Sequence, residues 1–333
     1  MKVTPGQRPQ TVLPPPLKVA LVGECMIEMR GEPASGFSQT FGGDTLNVAV
    51  YLSRLNPAAG VVADYITAIG ADSFSDTMRQ LWRDEGVGDQ HVRVISDALP
   101  GLYFIQTDSQ GERRFLYWRG EAAARRMFDG PEADEVLHAL ADYDYVYLSG
   151  ISLAILTVNG RERLMHALRL AREAGTRIVF DNNYRPHLWP DAQAARQAYG
   201  DMLRLTDLAL ITWEDDAALF GYADVEALFR AYAALGVNEV ALKRGAASCL
   251  IQCAEGRFNV PAEQVRRIVD TTAAGDSFSA AYLSCRLQGG EPALAARWGH
   301  QLAAQVVQHR GALIPSGAMP RLNMPLFSSA AEA

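Results

Sequence analysis

Short apolar runs recur along the chain, and the stretches between them carry apolar residues at every third or fourth position. Runs that are apolar at consecutive positions are typical of strands buried on both faces of a parallel sheet. Spacings of three and four are typical of helices with one buried face. The predicted strands are 18–23, 65–70, 145–150, 177–181, 208–212 and 239–243, and the predicted helices are 45–55, 74–85, 132–141, 161–174, 192–205 and 225–235.

Strands and helices alternate in this order, which predicts an α/β domain whose parallel sheet is covered by helices on both sides. Ligands of such sheets bind beyond the carboxyl ends of the strands. Two segments, 25–41 and 101–120, break the alternation, and the second is typical of a β-hairpin with a turn at 108–111. We interpret both segments as one small β-sheet that forms a lid over the strand ends.

Composition excludes several classes of function. The 333 residues are 49% hydrophobic and 21% charged, which is ordinary for a globular chain with a sizeable core. A net charge of −7 without any basic block argues against a nucleic-acid partner. The apolar runs are too short to cross a bilayer and no secretory signal is visible, so we expect a cytoplasmic protein without a membrane partner.

The four cysteines, Cys25, Cys249, Cys253 and Cys285, fit a reducing compartment. Cys249 and Cys253 lie four strand steps apart, about 13 Å, which is too far for a disulfide or a shared metal. We therefore expect Cys249 and Cys253 to pack in the core.

Two segments contain residues suited to chemistry. The first is FGGDTLN at 41–47, in which paired glycines let backbone approach a ligand, and Asp44 and Asn47 can bond hydroxyl groups. Asp44 is also a good helix N-cap, and both interpretations can hold together. The fingerprints of dinucleotide-binding, Walker A and zinc-protease sites are absent from the sequence.

The second segment, DTTAAGDSFSAAYL at 270–283, places small residues between two aspartates at the start of a predicted helix. Free N–H groups and the helix dipole favour an anion at such a terminus. Asp276 is then either a cap or a reactive carboxylate beside the bound anion.

The two segments together resemble the N-terminal and C-terminal signatures of the ribokinase-like (PfkB) carbohydrate kinases, at 42–49 and 270–278. The resemblance covers about residues 17–325. It implies a three-layer α/β/α sandwich with a mostly parallel central sheet and a small β-sheet lid. The kinase core would comprise 17–24, 44–98 and 121–325, the lid 25–43 and 99–120, and flexible tails 1–16 and 326–333.

The resemblance also implies a reaction, the transfer of the γ-phosphoryl group of ATP to a sugar hydroxyl with Mg²⁺. Asp276 takes the place of the general base of the family. The backbone N–H groups of Ala273, Ala274 and Gly275 take the place of its anion hole. Phosphoryl transfer depends mainly on positioning and charge stabilisation, which suits a helix N-terminus.

A finer resemblance is to the branch of the family that phosphorylates 2-keto-3-deoxygluconate, a sugar acid. Its motifs are found at 23–28, 99–103, 117–119, 148–156 and 180–186. It implies contacts to the acid from Tyr103, Tyr117, Arg119 and Arg185, and contacts to its hydroxyls from Gly43, Asp44 and Asn47. Arginine matches a carboxylate bidentately. The alternatives are an exposed hairpin face for Tyr117 and Arg119, and a solvated loop for Arg185.

For the nucleotide, the segment 243–248 resembles the ATP loop of the family, with Lys243, Gly245 and Ser248 as binding residues. His300 matches a position near adenine, although a single helical histidine is more often core packing. The segments 270–272 and 307–312 resemble loops that bind a monovalent cation, so potassium is a candidate activator.

One departure concerns the metal. The family often carries Asn-x-x-Glu near the metal and phosphates, whereas this chain has Trp213 and Asp216 at those positions. We expect Mg²⁺ to arrive with ATP and to meet Asp216 through water. Glu214, Asp215 and Asp216 are alternatively a cluster of acids favoured by a helix dipole.

Two other functions are compatible with the fold, a kinase for ribose, fructose or another neutral ketose, and a sugar sensor without catalysis. Gly275 and Asp276 disfavour the sensor, and the two arginines disfavour a neutral sugar. The edge strands of the lid could pair between subunits, which predicts a homo-oligomer.

Overall fold

The computed structural model describes residues 15–32, 36–56, 60–107 and 113–324. Its central sheet has eight strands. They lie in the order β14 (Gly256–Val260), β13 (Cys249–Cys253), β12 (Glu239–Lys243), β11 (Leu208–Thr212), β10 (Arg177–Asp181), β9 (Tyr145–Ser149), β1 (Leu17–Val22) and β4 (Val61–Ile66).

The six strands from β12 to β4 run parallel, and β13 and β14 are antiparallel additions at one edge. The mostly parallel sheet is therefore confirmed. The predicted strand 65–70 is wrong in its bounds, because Asp64 interrupts an apolar run that in fact begins at Val61. Past β4, the short strand β5 (Ala68–Ile69) leaves the sheet to pair with β6 (Arg93–Val94).

Ten helices of the described chain cover the sheet. They are α1 (Asp44–Leu55), α2 (Ser73–Asp84), α3 (Asp134–Ala139), α4 (Gly150–Ile155), α5 (Val158–Glu173), α6 (Ala192–Leu203), α7 (Trp213–Phe220), α8 (Val225–Ala234), α9 (Ala274–Leu287) and α10 (Pro292–Val306). The predicted helix 132–141 is shorter than expected, because 3₁₀ turns flank α3 on both sides.

The core has two halves, one on each face of the sheet. Apolar side chains of α3 to α8 pack on one face, among them Leu168, Tyr199 and Tyr232. Side chains of α1, α2, α9 and α10 pack on the other, among them Trp82 and Tyr282. Helix, sheet and helix thus form the three layers that the resemblance implied.

A separate sheet of four strands is built from the two segments that broke the alternation. Its order is β3 (Gly36–Gly42), β2 (Met26–Glu32), β7 (Gly101–Thr107) and β8 (Arg113–Trp118). Two antiparallel hairpins join through the parallel pair of β2 and β7. The predicted turn 108–111 and nearly all of the predicted tails lie outside the described residues.

All four cysteines are unpaired, and Cys25, Cys249 and Cys285 are buried. Core packing is confirmed for Cys249 but is wrong for Cys253, which is only partly buried because it ends a strand beside the turn to β14. Among the described helices, none combines the length and the apolar character needed to cross a membrane.

Candidate active site

Polar side chains converge where β10 and β12 end and where α1 and α9 begin. Asp181 is the last residue of β10, Lys243 the last of β12, and Asp44 the first of α1. Asn47, from the first turn of α1, donates to Asp276 of α9 across 229 positions of sequence. Because parallel strands end at the same edge of the sheet, this edge is the binding edge that the fold predicts.

The turn before α9 has the geometry of an anion site. Ala273 is in the left-handed region (φ 60°, ψ 16°) and Ala274 begins the helix. Left-handed and right-handed residues in succession aim neighbouring N–H groups into one concavity, which binds anions. A Cβ on Gly275 would meet one atom within 4 Å, Nζ of Lys243 at 3.9 Å, so open space lies over this turn.

Asp276 is not a cap, so that alternative is wrong. Ala273 is the N-cap residue of α9, without a side-chain hydrogen bond, and Asp276 is the third helical residue. Oδ2 of Asp276 accepts a hydrogen bond from Nδ2 of Asn47 at 2.8 Å. Burial, reinforced by the charge of Asp44, raises the pKa of Asp276 to about 7, against the opposing bond from Asn47. A carboxylate that titrates near neutrality suits a general base.

The paired glycines before α1 are required by close packing within the protein. A Cβ on Gly43 would stand 2.1 Å from the carbonyl oxygen of Glu24, and one on Gly42 would stand 2.4 Å from the hydroxyl of Tyr103. Asp44 does not cap α1, because Gly43 is the N-cap residue. Its Oδ2 instead accepts from Nδ2 of Asn183 at 2.7 Å.

Arg119 is buried, so an exposed hairpin face is the wrong interpretation of this residue. Its side chain is 9% exposed and forms an ion pair with buried Glu24. Burial raises the pKa of Glu24, and the charge of Arg119 opposes that rise. Glu24 Oε1 and Arg119 Nε are both buried and find no hydrogen-bond partner among the described residues, so each can still form one more hydrogen bond.

Tyr117 fits the exposed-face alternative in part, at 41% exposure. Its ring stacks on His187 at 5.9 Å and lies 5.7 Å from the ring of Tyr103, so it joins the small sheet to the core. Tyr103 is buried, and its hydroxyl donates to Glu28.

Arg185 lies at the surface, which agrees with its alternative interpretation as a residue of a solvated loop, but it does have a partner. Its side chain is 43% exposed and pairs with Asp215 at 3.3 Å. Burial and the charges of Arg119 and Arg185 lower the pKa of His187, so both arginines are within electrostatic reach of one imidazole ring.

The predicted nucleotide residues occupy three different environments. Lys243 is buried, and its Nζ donates to Asp181 at 2.7 Å and to Ser279 at 3.1 Å. Gly245 has a positive φ of 56° in an open turn, and the Ser248 hydroxyl accepts from Arg244.

His300 has the geometry of core packing. Its Nε2 lies 3.2 Å from the Val260 carbonyl oxygen, and its ring meets Phe278 edge-on at 5.1 Å. Burial lowers the pKa of this imidazole.

The three acids of α7 diverge, although all lie in its first turn. Glu214 is exposed, Asp215 pairs with Arg185, and Asp216 is 1% exposed. Oδ1 of Asp216 accepts from Tyr232 at 2.9 Å and from Asn182 at 3.2 Å, whereas its Oδ2 has no hydrogen-bond partner in the part of the chain that the structure describes.

No group of three or more histidine, cysteine or acidic side chains in the described part of the chain could hold a metal ion. Asp216 is too enclosed to ligate a metal directly, and its Oδ2, the oxygen left for a water molecule, is itself buried. A metal that arrives with substrate phosphates needs few protein ligands.

Asp270 ties together the loops expected to bind a cation. Its Oδ1 accepts from the Thr272 N–H at 2.9 Å, and its Oδ2 accepts from the Gly311 N–H at 3.0 Å. Arg30, from the small sheet, reaches the same Oδ2 at 3.4 Å. A guanidinium group therefore already lies beside this carboxylate.

Sequence reasoning missed the roles of several residues at this edge. Asp181 and Asn183 were visible only as members of the motif at 180–186, and Glu24 and Glu28 only as members of the motif at 23–28. A positive φ of 26° at Asn183, rare for a residue other than glycine, is the kind of signal that only coordinates reveal.

Comparison with known proteins gives one family. The family model described as "pfkB family carbohydrate kinase" matches residues 16–318. A relative from Dickeya dadantii, named 2-dehydro-3-deoxygluconokinase, is 48% identical over 91% of this chain and 98% of its own. One of the same name from Haemophilus influenzae is 38% identical over 92% of this chain and 98% of its own.

A solved structure described as a ribokinase II of E. coli, in complex with ATP and Mg²⁺, has a TM-score of 0.78 and 25% identity. The match covers 92% of this chain and 96% of that one.

Proposed function

The chain belongs to the pfkB family of carbohydrate kinases, which use ATP with Mg²⁺, and we propose that it phosphorylates the C6 hydroxyl of 2-keto-3-deoxy-D-gluconate. This substrate is the 2-dehydro-3-deoxygluconate in the names of the relatives. The observation that carries the proposal is the hydrogen bond between Asn47 and Asp276 beside the turn at 273–275. This bond holds a carboxylate whose pKa is raised to about 7 next to that turn, at the binding edge of the sheet.

Asp276 is the general base of the proposed reaction. Its carboxylate takes the proton of the C6 hydroxyl as the oxygen of that hydroxyl bonds to the γ-phosphorus of ATP. The bond from the γ-phosphorus to the bridging oxygen breaks, and ADP leaves with that oxygen. Asn47 holds Oδ2 of Asp276, which fixes the carboxylate while its other oxygen faces the substrate.

The turn before α9 binds the transferred phosphoryl group in this proposal. The Ala274 N–H donates within the turn to the Thr271 carbonyl oxygen at 3.3 Å, so it would have to share that bond with the phosphoryl group. The N–H groups of Ala273 and Gly275 supply the other donors, and Lys243, near Gly275, supplies a positive charge. Fixed donors of this kind stabilise charge without reorganising during the reaction. Mg²⁺ bound with ATP would neutralise charge on the phosphate oxygens, and Asp216 would meet the ion only through a water molecule.

The sugar acid occupies the space between the small sheet and the ends of the central strands. Arg185 is the arginine whose exposure lets it bind the carboxylate, with Asp215 as its partner before binding. Arg119 adds charge from beneath Tyr117, since its guanidinium lies 5.8 Å from that ring. Asp44 and Asn47 face the hydroxyl groups, and Gly43 and Tyr103 complete the wall.

The nucleotide lies along 243–248 and the α10 side, whereas His300, buried against Phe278, belongs to the core behind this site. The loops at Asp270 and Gly311 are those that would hold potassium, and the bound ion would order them. We expect its effect to be small, because Arg30 already places a positive charge beside Asp270. Equal rates in potassium and in a bulky organic cation, at matched ionic strength, would refute this activation.

The small sheet also carries the proposed subunit contact. Phe37 and Trp118 are 41% and 58% exposed on it, and β3 and β8 are its open edges. Sedimentation showing only a monomer at micromolar concentration would exclude this homo-oligomer. The unpaired cysteines support a reducing, cytoplasmic setting.

The test of the function is ADP release in a coupled assay with 2-keto-3-deoxygluconate, gluconate, ribose and fructose. We expect kcat/KM to be highest for the 2-keto-3-deoxy acid. A preference for ribose or fructose would refute the acid substrate and leave the kinase intact. No ADP release with any sugar would favour the sensor.

A further inference from the structure

A buried polar cluster lies beneath the first turn of α9. Nζ of Lys243 donates to Oδ2 of Asp181 at 2.7 Å and to Oγ of Ser279 at 3.1 Å. The Ser279 hydroxyl donates to the same Asp181 oxygen at 2.8 Å, and the Tyr147 hydroxyl lies 3.3 Å from it. All four residues are buried. One carboxylate oxygen therefore organises three donors from three elements of the core.

The cluster touches the anion site through its ammonium group. Nζ of Lys243 lies 3.9 Å from the point where a Cβ on Gly275 would stand. Partners within the described chain take two of the three N–H donors of this group, at Asp181 and Ser279. One donor thus remains for an anion bound at the turn.

Stability alone is a poor reason for such a pair. Burying lysine with aspartate removes two charges from water, and apolar side chains of similar volume often serve the core as well or better. A fixed positive charge is useful where negative charge moves from one bound substrate to the other during phosphoryl transfer. The Lys243–Asp181 pair lies under the turn at 273–275, where this transfer is proposed to occur.

We propose that Asp181 is a positioning residue that holds the Lys243 ammonium group at the phosphoryl site, with Ser279 and Tyr147 fixing the Asp181 carboxylate. The inference rests on the proposed function, because Lys243 acts on the phosphoryl group whose transfer Asp276 initiates. Asp181 itself touches neither substrate.

The charges around Asp276 provide a readout that packing would not move. Asp44 of α1 and Asp181 of β10 raise the pKa of Asp276, and Lys243 of β12 lowers it. The hydroxyls of Tyr51 and Tyr147 also lie within electrostatic reach, but their pKa values are raised and they stay neutral. Removing the charge of Asp181 or that of Lys243 should therefore shift the titration of Asp276 in opposite directions.

The experiment compares kcat, KM and the pH dependence of kcat/KM for wild type, Asp181→Asn and Lys243→Met. We expect kcat to fall on the order of 100-fold in both variants, with little change in KM for the sugar acid. The acid limb of kcat/KM should move to lower pH in Asp181→Asn and to higher pH in Lys243→Met. A role in packing alone would not produce shifts of opposite sign.

Tyr282→Phe is the matched control, because Tyr282 is a buried tyrosine whose hydroxyl donates to a different carboxylate, Glu239, at 2.6 Å. It should leave kcat and the acid limb unchanged. Tyr147→Phe removes only one bond to Asp181 and serves if Asp181→Asn does not fold. It should lower kcat, by less than Asp181→Asn.

If Asp181→Asn folds and its kcat equals that of wild type, the inference is overturned. If Asp181→Asn does not fold, a wild-type kcat in Tyr147→Phe overturns it. An acid limb that moves in neither charge variant, while Asp276→Asn is inactive, also overturns it and leaves the proposed function standing. Full turnover in Asp276→Asn removes the proposed function and the inference together.

Discussion

Two helices, α9 and α7, each place an aspartate in the first turn whose pKa burial raises to about 7. Each aspartate accepts a hydrogen bond from an asparagine amide, Asp276 from Asn47 and Asp216 from Asn182. Their surroundings differ. Asp276 lies beside the open turn at 273–275, whereas Asp216 is 1% exposed and bonded to Tyr232.

The comparison teaches that a raised pKa alone does not identify a catalytic acid or base. Desolvation raises the pKa of a carboxylate wherever it is buried. What separates the two is access to a second reactant and the presence of anion-binding donors nearby. The predictions below test that distinction.

The largest effect is expected for Asp276→Asn. The amide keeps the shape and the bond to Asn47 but loses basicity, so kcat should fall by roughly 100- to 10,000-fold. Steady-state kinetics with both substrates measures this, and near wild-type turnover would return Asp276 to a structural role.

The same variant should be more stable than wild type at pH 8. A folded pKa raised from 3.8 to about 7 gives a stabilising contribution that is complete below about pH 4 and lost as pH rises through the folded value. The amide removes that loss, worth roughly 1–3 kcal/mol at pH 8. Urea unfolding at pH 4 and pH 8 checks this, and an equal difference at both pH values would contradict it.

Gly275→Val should lower kcat on the order of 100-fold and leave the melting temperature nearly unchanged. A side chain there enters open space over the turn, which is the proposed site of the phosphoryl group. Gly299→Val is the contrasting control, because a Cβ at Gly299 would stand 2.6 Å from the ring of Phe278. That variant should lose stability. A fall in melting temperature at Gly275 equal to that at Gly299 would count against an anion hole.

Arg185→Met should raise KM for the sugar acid by roughly 10- to 100-fold and leave KM for ATP nearly unchanged. A neutral ketose has no carboxylate to lose and should be affected much less. Arg257→Met is the control, since Arg257 also forms an exposed ion pair, with Glu226.

Arg119→Met should raise the KM for the sugar acid as well. It should also lower stability, because it leaves Glu24 buried without its partner. Unchanged KM in both site variants would refute the sugar-acid assignment.

The smallest effect on turnover is expected for Asp216→Asn. Any contact with Mg²⁺ is through water, so we expect a modest rise in KM for Mg-ATP and little change in kcat. A loss of kcat as large as that of Asp276→Asn would make the two aspartates functionally equivalent and would refute the distinction drawn between them.

Much of the fold could be predicted because burial on both faces leaves a plain pattern. The strands at 177–181, 208–212 and 239–243 match β10, β11 and β12 to the residue. Helix α5 begins at Val158, three residues before its predicted start at 161. The start was missed because it is set by Thr157, whose side chain caps the helix by accepting from the Gly160 N–H, and not by apolar spacing. The start of β4 was missed because Asp64 is a buried charge bonded to Tyr143.

The candidate site could be predicted only where its residues lie in contiguous motifs. Asp276 and Asn47 were both predicted, but the bond that joins them spans 229 positions and follows no local pattern. Arg119 is buried because Glu24, 95 positions away, neutralises it. The cluster of Asp181 and Lys243 likewise depends on strand order, which periodicity does not give.

The pH dependence of kcat/KM for the wild-type enzyme tests the central claim most directly, which is that Asp276 acts as a base with a pKa of about 7. The account predicts that kcat/KM rises tenfold per pH unit below this pKa and levels off above it, since only the ionised carboxylate accepts the proton. A flat profile from pH 5 to pH 8, with the enzyme folded throughout, would contradict it.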